Sequence, residues 1–112
     1  MPNEPDREME IDPRSVEERL GRGASFLFVD VREHWEHDLC RIEGATLIPL
    51  REIPAQLARF GNAEEVILFC HHGMRSLDAA AWLRSQGIGR ARSMAGGIDR
   101  WSREIDPAVP RY

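Results

Sequence analysis

Short unbroken apolar runs of strand length alternate along this chain with segments of helical spacing, and few folds accommodate that order. Phe26-Leu27-Phe28-Val29-Asp30-Val31 and Val66-Ile67-Leu68-Phe69 show no polar–apolar alternation. Strands of that kind are buried on both faces, as in a parallel sheet covered by helices on each side. Met9-Glu10-Ile11, Thr46-Leu47-Ile48 and Ala91 to Met94 read as shorter strands. Asp12-Pro13 supplies a cap and a first-turn proline for a helix running to about Arg22 and ended by Gly23. A short helical turn is expected between Glu33 and Asp38, and a helix from Leu50 to about Phe60 with apolar residues at 50, 53, 57 and 60. Ser76 to Gln86, ended by Gly87 and Gly89, and Ile98 to Ile105 complete the helices. Strand–helix–strand crossovers are right-handed, so the order predicts a mainly parallel α/β sandwich with its ligand site at the carboxyl ends of the strands.

At 112 residues the chain is sized for one domain with a core that needs no disulfide or metal. Residues 1 to about 8, rich in charge and proline, are expected to be a disordered tail. The folded part then begins near Met9 and ends in an extended tail from about 106, marked by Pro107 and Pro110. No apolar run approaches the roughly 20 residues of a membrane span, and the acidic start lacks the features of a secretory signal. The expectation is a soluble, cytoplasmic protein that does not enter membranes. A net charge of −4 argues against nucleic acid as partner. All fifteen cations are arginine, which excludes lysine-dependent chemistry such as a Schiff base. Two cysteines, Cys40 and Cys70, are too few for a disulfide framework and are expected to be free or catalytic.

Cys70 carries the most chemical information. It ends the apolar run 66–69 and opens Cys70-His71-His72-Gly73-Met74-Arg75-Ser76, after which the helical pattern starts. A thiol at that junction faces a helix N-terminus, whose unpaired N–H groups and partial positive charge stabilise an anion and favour a nucleophilic thiolate. The alternative for Cys70 is a buried cysteine acting as a small apolar side chain.

With Asp30-Val31-Arg32-Glu33, Gly44-Ala45-Thr46-Leu47-Ile48-Pro49, the Cys70 loop and Gly96-Gly97-Ile98-Asp99-Arg100-Trp101 in this order, the chain resembles the single-domain rhodanese-like sulfurtransferases over roughly residues 10 to 105. The resemblance implies a five-stranded sheet between helices. It further implies that Cys70 takes up a sulfane sulfur as a persulfide, from a donor such as thiosulfate or another persulfide, and passes it to a thiol, cyanide or a protein. A non-catalytic binding or regulatory module is the alternative.

In that reading His71, His72, Gly73, Met74, Arg75 and Ser76 form the substrate-binding loop, their backbone N–H groups curling around the sulfur, with Asp30 and Arg32 as supporting scaffold. Four residues separate Cys70 from Arg75, one fewer than in the phosphate loop of cysteine phosphatases, which makes a narrower cradle. His71 and His72 stand where thiosulfate enzymes of the family carry cations. They are read as an anion site when protonated or as a proton relay, and thiosulfate is the less favoured donor. Cys70, His71 and His72 are adjacent in sequence, lack the usual ligand spacing and have no evident fourth ligand, so they are not read as a metal site, and no cofactor is expected. Arg75 is expected to lock the loop by pairing with a buried carboxylate such as Asp30. Trp35, Trp82 and Trp101 are assigned to core or rim, and Cys40 to no chemical role. The tail 105–112 resembles that of rhodanese domains fused to adenylylating enzymes. Partners implied are a small-molecule sulfur donor and a thiol acceptor, with thioredoxin or a sulfur-carrier protein as protein acceptors.

Overall fold

The computed structural model describes residues 9–112; the segment 1–8, expected to be a disordered tail, lies outside the described residues. Strands β1 (Glu10–Ile11), β2 (Leu27–Asp30), β3 (Thr46–Leu47), β4 (Val66–Phe69) and β5 (Ala91–Met94) form one sheet in the order β1-β5-β4-β2-β3. Every pairing is parallel, so the sheet expected to be mainly parallel is parallel throughout. Helices α1 (Pro13–Gly21), α2 (His34–Leu39), α3 (Leu57–Gly61), α4 (Met74–Ser85) and α5 (Gly97–Glu104) lie between and after the strands.

The apolar runs feed two cores in alternation. Val66, Leu68 and Cys70 join Val29, Val31 and Ala91 in one core, closed by Phe60 of α3 and by Ala79, Ala80 and Leu83 of α4. Ile67 and Phe69 join Ile11, Phe28 and Met94 in the other, closed by Val16 of α1 and by Ile98 and Trp101 of α5. Successive strand side chains point to opposite faces, and both faces are covered, so β2 and β4 are apolar on both sides apart from Asp30 at the end of β2. Cys40 packs in the second core and Cys70 in the first. Both are free thiols on opposite sides of the sheet, which rules out a bridge in this fold.

Local chemistry explains the boundaries. The Asp12 carboxylate accepts the Ser15 N–H at 2.8 Å, and Pro13 opens α1. The single helix expected from Leu50 to Phe60 is instead two 3-10 turns, Leu50–Glu52 and Pro54–Gln56, followed by α3. Pro54 lacks the N–H that a continuous helix would need there, and its ring would press on the carbonyl of the turn before it. Ile53 and Phe60 are buried all the same, so the spacing identified the inward face but not the backbone.

Candidate active site

Cys70 directly follows β4, and three residues turn the chain into α4. Gly73, at φ +109, takes the left-handed conformation that this reversal requires. The turn aims two backbone donors and a hydroxyl at the sulfur. The N–H of Gly73 lies 3.1 Å from Cys70 Sγ, the N–H of Ser76 3.4 Å, and Ser76 Oγ 3.4 Å. Of the expected run of donors from 71 to 76, Gly73 and Ser76 make the contacts. The Ser76 N–H belongs to the first turn of α4, where amides have no partner within the helix, and here it is directed at sulfur. Cys70 is only 1% exposed, which shields the sulfur from bulk water.

The back of the loop rests on α5. Ile98 N–H donates to the Cys70 carbonyl at 2.9 Å and Asp99 N–H to the His71 carbonyl at 3.1 Å. Gly97, at φ +61, is pressed so close that a Cβ would overlap both carbonyl oxygens. The Gly96-Gly97 pair is therefore the surface on which the Cys70 loop is seated.

Two ion-pair systems brace the front. Asp30, at the end of β2, accepts from the Arg32 backbone N–H (3.0 Å), from Arg32 Nε (2.9 Å) and Nη2 (2.8 Å), and lies 3.0 Å from His37 Nδ1. Asp30 and Arg32 are both completely buried. Burial works against the Arg32 charge, yet its bonds to Asp30 and to the Tyr112 hydroxyl hold its pKa above the ordinary arginine value. Arg32 Nη2 also caps the Cys40 carbonyl at 2.6 Å, which gives that stretch a structural anchor.

The buried carboxylate that Arg75 pairs with is Glu36, on α2, and not Asp30, the example expected. The contact is a two-pronged fork, Nη1 to Oε1 at 2.7 Å and Nη2 to Oε2 at 2.9 Å. Asp30 is already saturated by Arg32 and His37, whereas Glu36 is left to be met from across the loop. Burial pushes the Glu36 carboxyl up, but the Arg75 fork, a backbone N–H of Glu33 and the Tyr112 hydroxyl outweigh it and hold its pKa at about 2. In turn Glu36 raises the pKa of Arg75.

Residues 106–112 come back onto this site. Val109 is buried, and its carbonyl accepts from Ser102 Oγ at 2.5 Å. The Tyr112 hydroxyl accepts from Arg32 Nη1 (2.8 Å) and donates to Glu36 Oε2 (2.7 Å), joining the two ion-pair systems. Burial, reinforced by the Glu36 charge, pushes its pKa up to about 12 despite Arg32. The Tyr112 ring stacks flat on His71, with centroids 3.9 Å apart and planes 3° apart; His71 in turn stacks on His72 at 3.9 Å. Burial and the neighbouring His72 lower the pKa of His71, so it is neutral near pH 7 and supplies no charge to an anion. Its Nε2 is buried and has no hydrogen-bond partner among the described residues.

His71, His72 and Asp99 bring three potential donor groups together, Asp99 lying outside the cysteine and histidines weighed from the sequence. The two Asp99 oxygens already accept from Arg103 (3.2 Å) and Arg111 (3.0 Å), which engages Asp99 in ion pairs of its own. Of the tryptophans, Trp101 is buried in the second core rather than lining the site. Trp82 packs partly buried against the first core, and Trp35, 62% exposed, meets Tyr112 edge-on.

The rhodanese-like domain family matches residues 12–104, which span all but one of the strands and every helix described above. The chain belongs to the rhodanese-like family. Among relatives, a protein of Allochromatium vinosum named sulfurtransferase is 35% identical over 100 residues, covering 89% of this chain and 94% of that one. The probable adenylyltransferase/sulfurtransferase MoeZ of Mycobacterium tuberculosis is 33% identical over 91% of this chain, which spans only 26% of MoeZ. Among solved structures, the human single-domain sulfurtransferase TSTD1 superposes with a TM-score of 0.76 at 26% identity, covering 86% of this chain and 96% of that one.

Within this rhodanese-like domain the sequence-derived site residues divide by position. Cys70, Gly73 and Ser76 come together at the sulfur, and Arg75, Asp30 and Arg32 brace the loop from outside. His72 and Met74 face solvent, Met74 being 75% exposed. Three residues went unrecognised: Glu36, Tyr112 and Ser93, whose buried hydroxyl lies 2.7 Å from that of Ser76. In the structure Glu36 also accepts the Glu33 N–H in a capping box, a local contact that says nothing of its pairing with Arg75. No local pattern marks the other two. Among the described residues, no helix is long and apolar enough to cross a membrane.

Proposed function

We propose that this protein is a sulfurtransferase carrying sulfane sulfur as a persulfide on Cys70. The observation that supports the reading best is the set of three donors converging on Cys70 Sγ. Cys40, the other buried thiol, has Arg32 Nη1 at 3.8 Å as its one donor among the described residues. In loading, Cys70 thiolate attacks the sulfane sulfur of the donor. The Sγ–S bond forms, the donor's own bond to that sulfur breaks, and the departing group (sulfite, from thiosulfate) keeps the electron pair. In discharge, the acceptor attacks the outer sulfur and Cys70 leaves as thiolate, stabilised by the same three donors.

Neutral His71 offers no counter-charge to a dianion, and Arg75 is engaged by Glu36, which favours a persulfide donor over thiosulfate. A small thiol, cyanide, thioredoxin or a sulfur-carrier protein fits the acceptor role. The names of relatives agree with a relay: besides MoeZ, a Bacillus subtilis protein named putative sulfur carrier protein YrkF is 28% identical over 83% of this chain and 50% of its own length. A cytoplasmic setting is part of the same proposal.

The test is a transfer assay with thiosulfate or glutathione persulfide as donor and cyanide or dithiothreitol as acceptor. Cys70→Ser is expected to reduce turnover by about a thousandfold or more, since the nucleophile is gone, while Cys40→Ser retains it. Absence of turnover with every donor in the unaltered protein would instead favour a non-catalytic binding module.

A further inference from the structure

Beneath the sulfur, Ser76 of α4 and Ser93 of β5 are both completely buried, their hydroxyl oxygens 2.7 Å apart. Nothing in the mechanism above uses Ser93. Counting protons shows what it does. Ser93 Oγ has two partners: Ser76 Oγ at 2.7 Å and the Gly73 carbonyl at 3.5 Å. Either hydroxyl can donate across the 2.7 Å contact, but if Ser76 did, the Ser93 proton would be left with the 3.5 Å contact to Gly73, beyond ordinary O–H···O length. The arrangement that gives both protons a good acceptor puts the Ser93 proton on Ser76 Oγ. That leaves the single Ser76 proton free of Ser93. Its remaining acceptors are Cys70 Sγ at 3.4 Å and the Gly73 carbonyl at 3.3 Å. For sulfur, a large acceptor, 3.4 Å is a full hydrogen bond. For an oxygen pair 3.3 Å is stretched, and the Gly73 carbonyl already accepts the Leu77 N–H at 3.0 Å. The charge on Sγ therefore decides where the Ser76 proton points.

We propose that Ser93 is a positioning residue for sulfur discharge: by donating to Ser76 Oγ, it directs the Ser76 hydroxyl onto Cys70 Sγ whenever that sulfur carries negative charge. The inference rests on the persulfide reading of Cys70. With cyanide as acceptor the discharge step is balanced as follows. The cyanide carbon attacks the outer sulfur of the Cys70 persulfide anion, the carbon–sulfur bond forms, and the Sγ–S bond breaks with its electron pair passing to Sγ. Thiocyanate leaves and Cys70 thiolate remains. Charge grows on Sγ as that bond breaks, and a hydroxyl already aimed there stabilises it; donation from Ser93 strengthens the Ser76 donor cooperatively. In loading the direction reverses. Sγ gives up its charge to bond the incoming sulfur, so the same hydrogen bond lends no assistance. A partially neutralised sulfur accepts weakly, and the Ser76 proton turns to the Gly73 carbonyl.

Discharge and loading consequently respond differently to loss of Ser93, which separates a positioning role from a structural one. The experiment measures single-turnover loading of the full chain with glutathione persulfide, by intact mass, and single-turnover discharge to cyanide, by thiocyanate formed. The proteins are the unaltered chain, Ser93→Ala and Ser93→Thr. Melting temperatures confirm that each variant is folded. Ser93→Ala is expected to slow discharge about three- to tenfold, a fraction of what a hydrogen bond to a charged group is worth. Its loading rate is expected to be unchanged or higher. Ser93→Thr, which keeps the hydroxyl, restores discharge. Equal slowing of both steps, or no slowing of discharge in a folded Ser93→Ala, overturns the role of Ser93. If the unaltered chain takes up no sulfur on Cys70, the persulfide reading itself fails.

Discussion

Gly97→Ala is expected to destabilise the domain by about 3 kcal/mol and lower its melting temperature by on the order of 10–20 °C. Two costs combine. The left-handed backbone at φ +61 resists any Cβ, and the new methyl would occupy the space of the Cys70 and His71 carbonyl oxygens. Backbone cannot swing aside as a flexible side chain can. The loop must lift from α5, stretching the Ile98–Cys70 and Asp99–His71 hydrogen bonds and moving Sγ relative to its donors. Activity should therefore fall further than the loss of folded protein explains. Gly61→Ala is the control: its Cβ meets nothing within 4 Å and it closes α3, so alanine there should leave the melting temperature near that of the parent. Thermal melts of the two variants check the contrast, and equal melting temperatures would refute the seating role given to Gly97.

Arg75→Ala should cost about 2–4 kcal/mol at pH 7, because it leaves Glu36, itself 3% exposed, without its guanidinium. Solvent screens part of this interaction, since the Arg75 side chain is 36% exposed. The effect carries a pH signature. The Glu36 carboxyl is held at about 2, below its ordinary 4.5, so its contribution is fully present above about pH 5 and is lost as pH falls through 4.5 towards 2. Without Arg75 the folded-state pKa rises and that acid loss flattens. The gap between parent and variant is thus wide at neutral pH and narrows in acid. Urea unfolding at a series of pH values checks this. A variant as stable as its parent but with a raised donor KM would make Arg75 a substrate ligand instead.

Much of the architecture was readable because strand burial leaves a mark on every residue of a run. Phe26–Val31 and Val66–Phe69 declared themselves buried on both faces, and the two cores divide their side chains in that way. Pro54 shows the limit in the other direction: spacing at 50, 53, 57 and 60 reports which face is inward, while a missing N–H decides the backbone. Cys70, Gly73 and Ser76 were legible because one loop holds all three. Glu36 was not, since charged residues in a short amphipathic turn usually face water and its Arg75 lies 39 positions away. Tyr112 and Ser93 also depend on the path of the chain: Tyr112 reaches Glu36 across 76 positions, and Ser93, 17 positions from Ser76, meets it only because β5 is laid beside β4. Buried polar partners of this kind are set by topology rather than by neighbouring sequence.

The account stands on Cys70 as the sulfur carrier, and the most direct measurement maps that sulfur. The full chain is treated with stoichiometric glutathione persulfide, one portion is alkylated at once and another only after addition of cyanide, and the peptides containing Cys40 and Cys70 are compared by mass. The account predicts one added sulfur on the Cys70 peptide, none on the Cys40 peptide, and its disappearance as thiocyanate forms. Sulfur on Cys40 instead, or a Cys70 adduct that cyanide does not discharge, would contradict it.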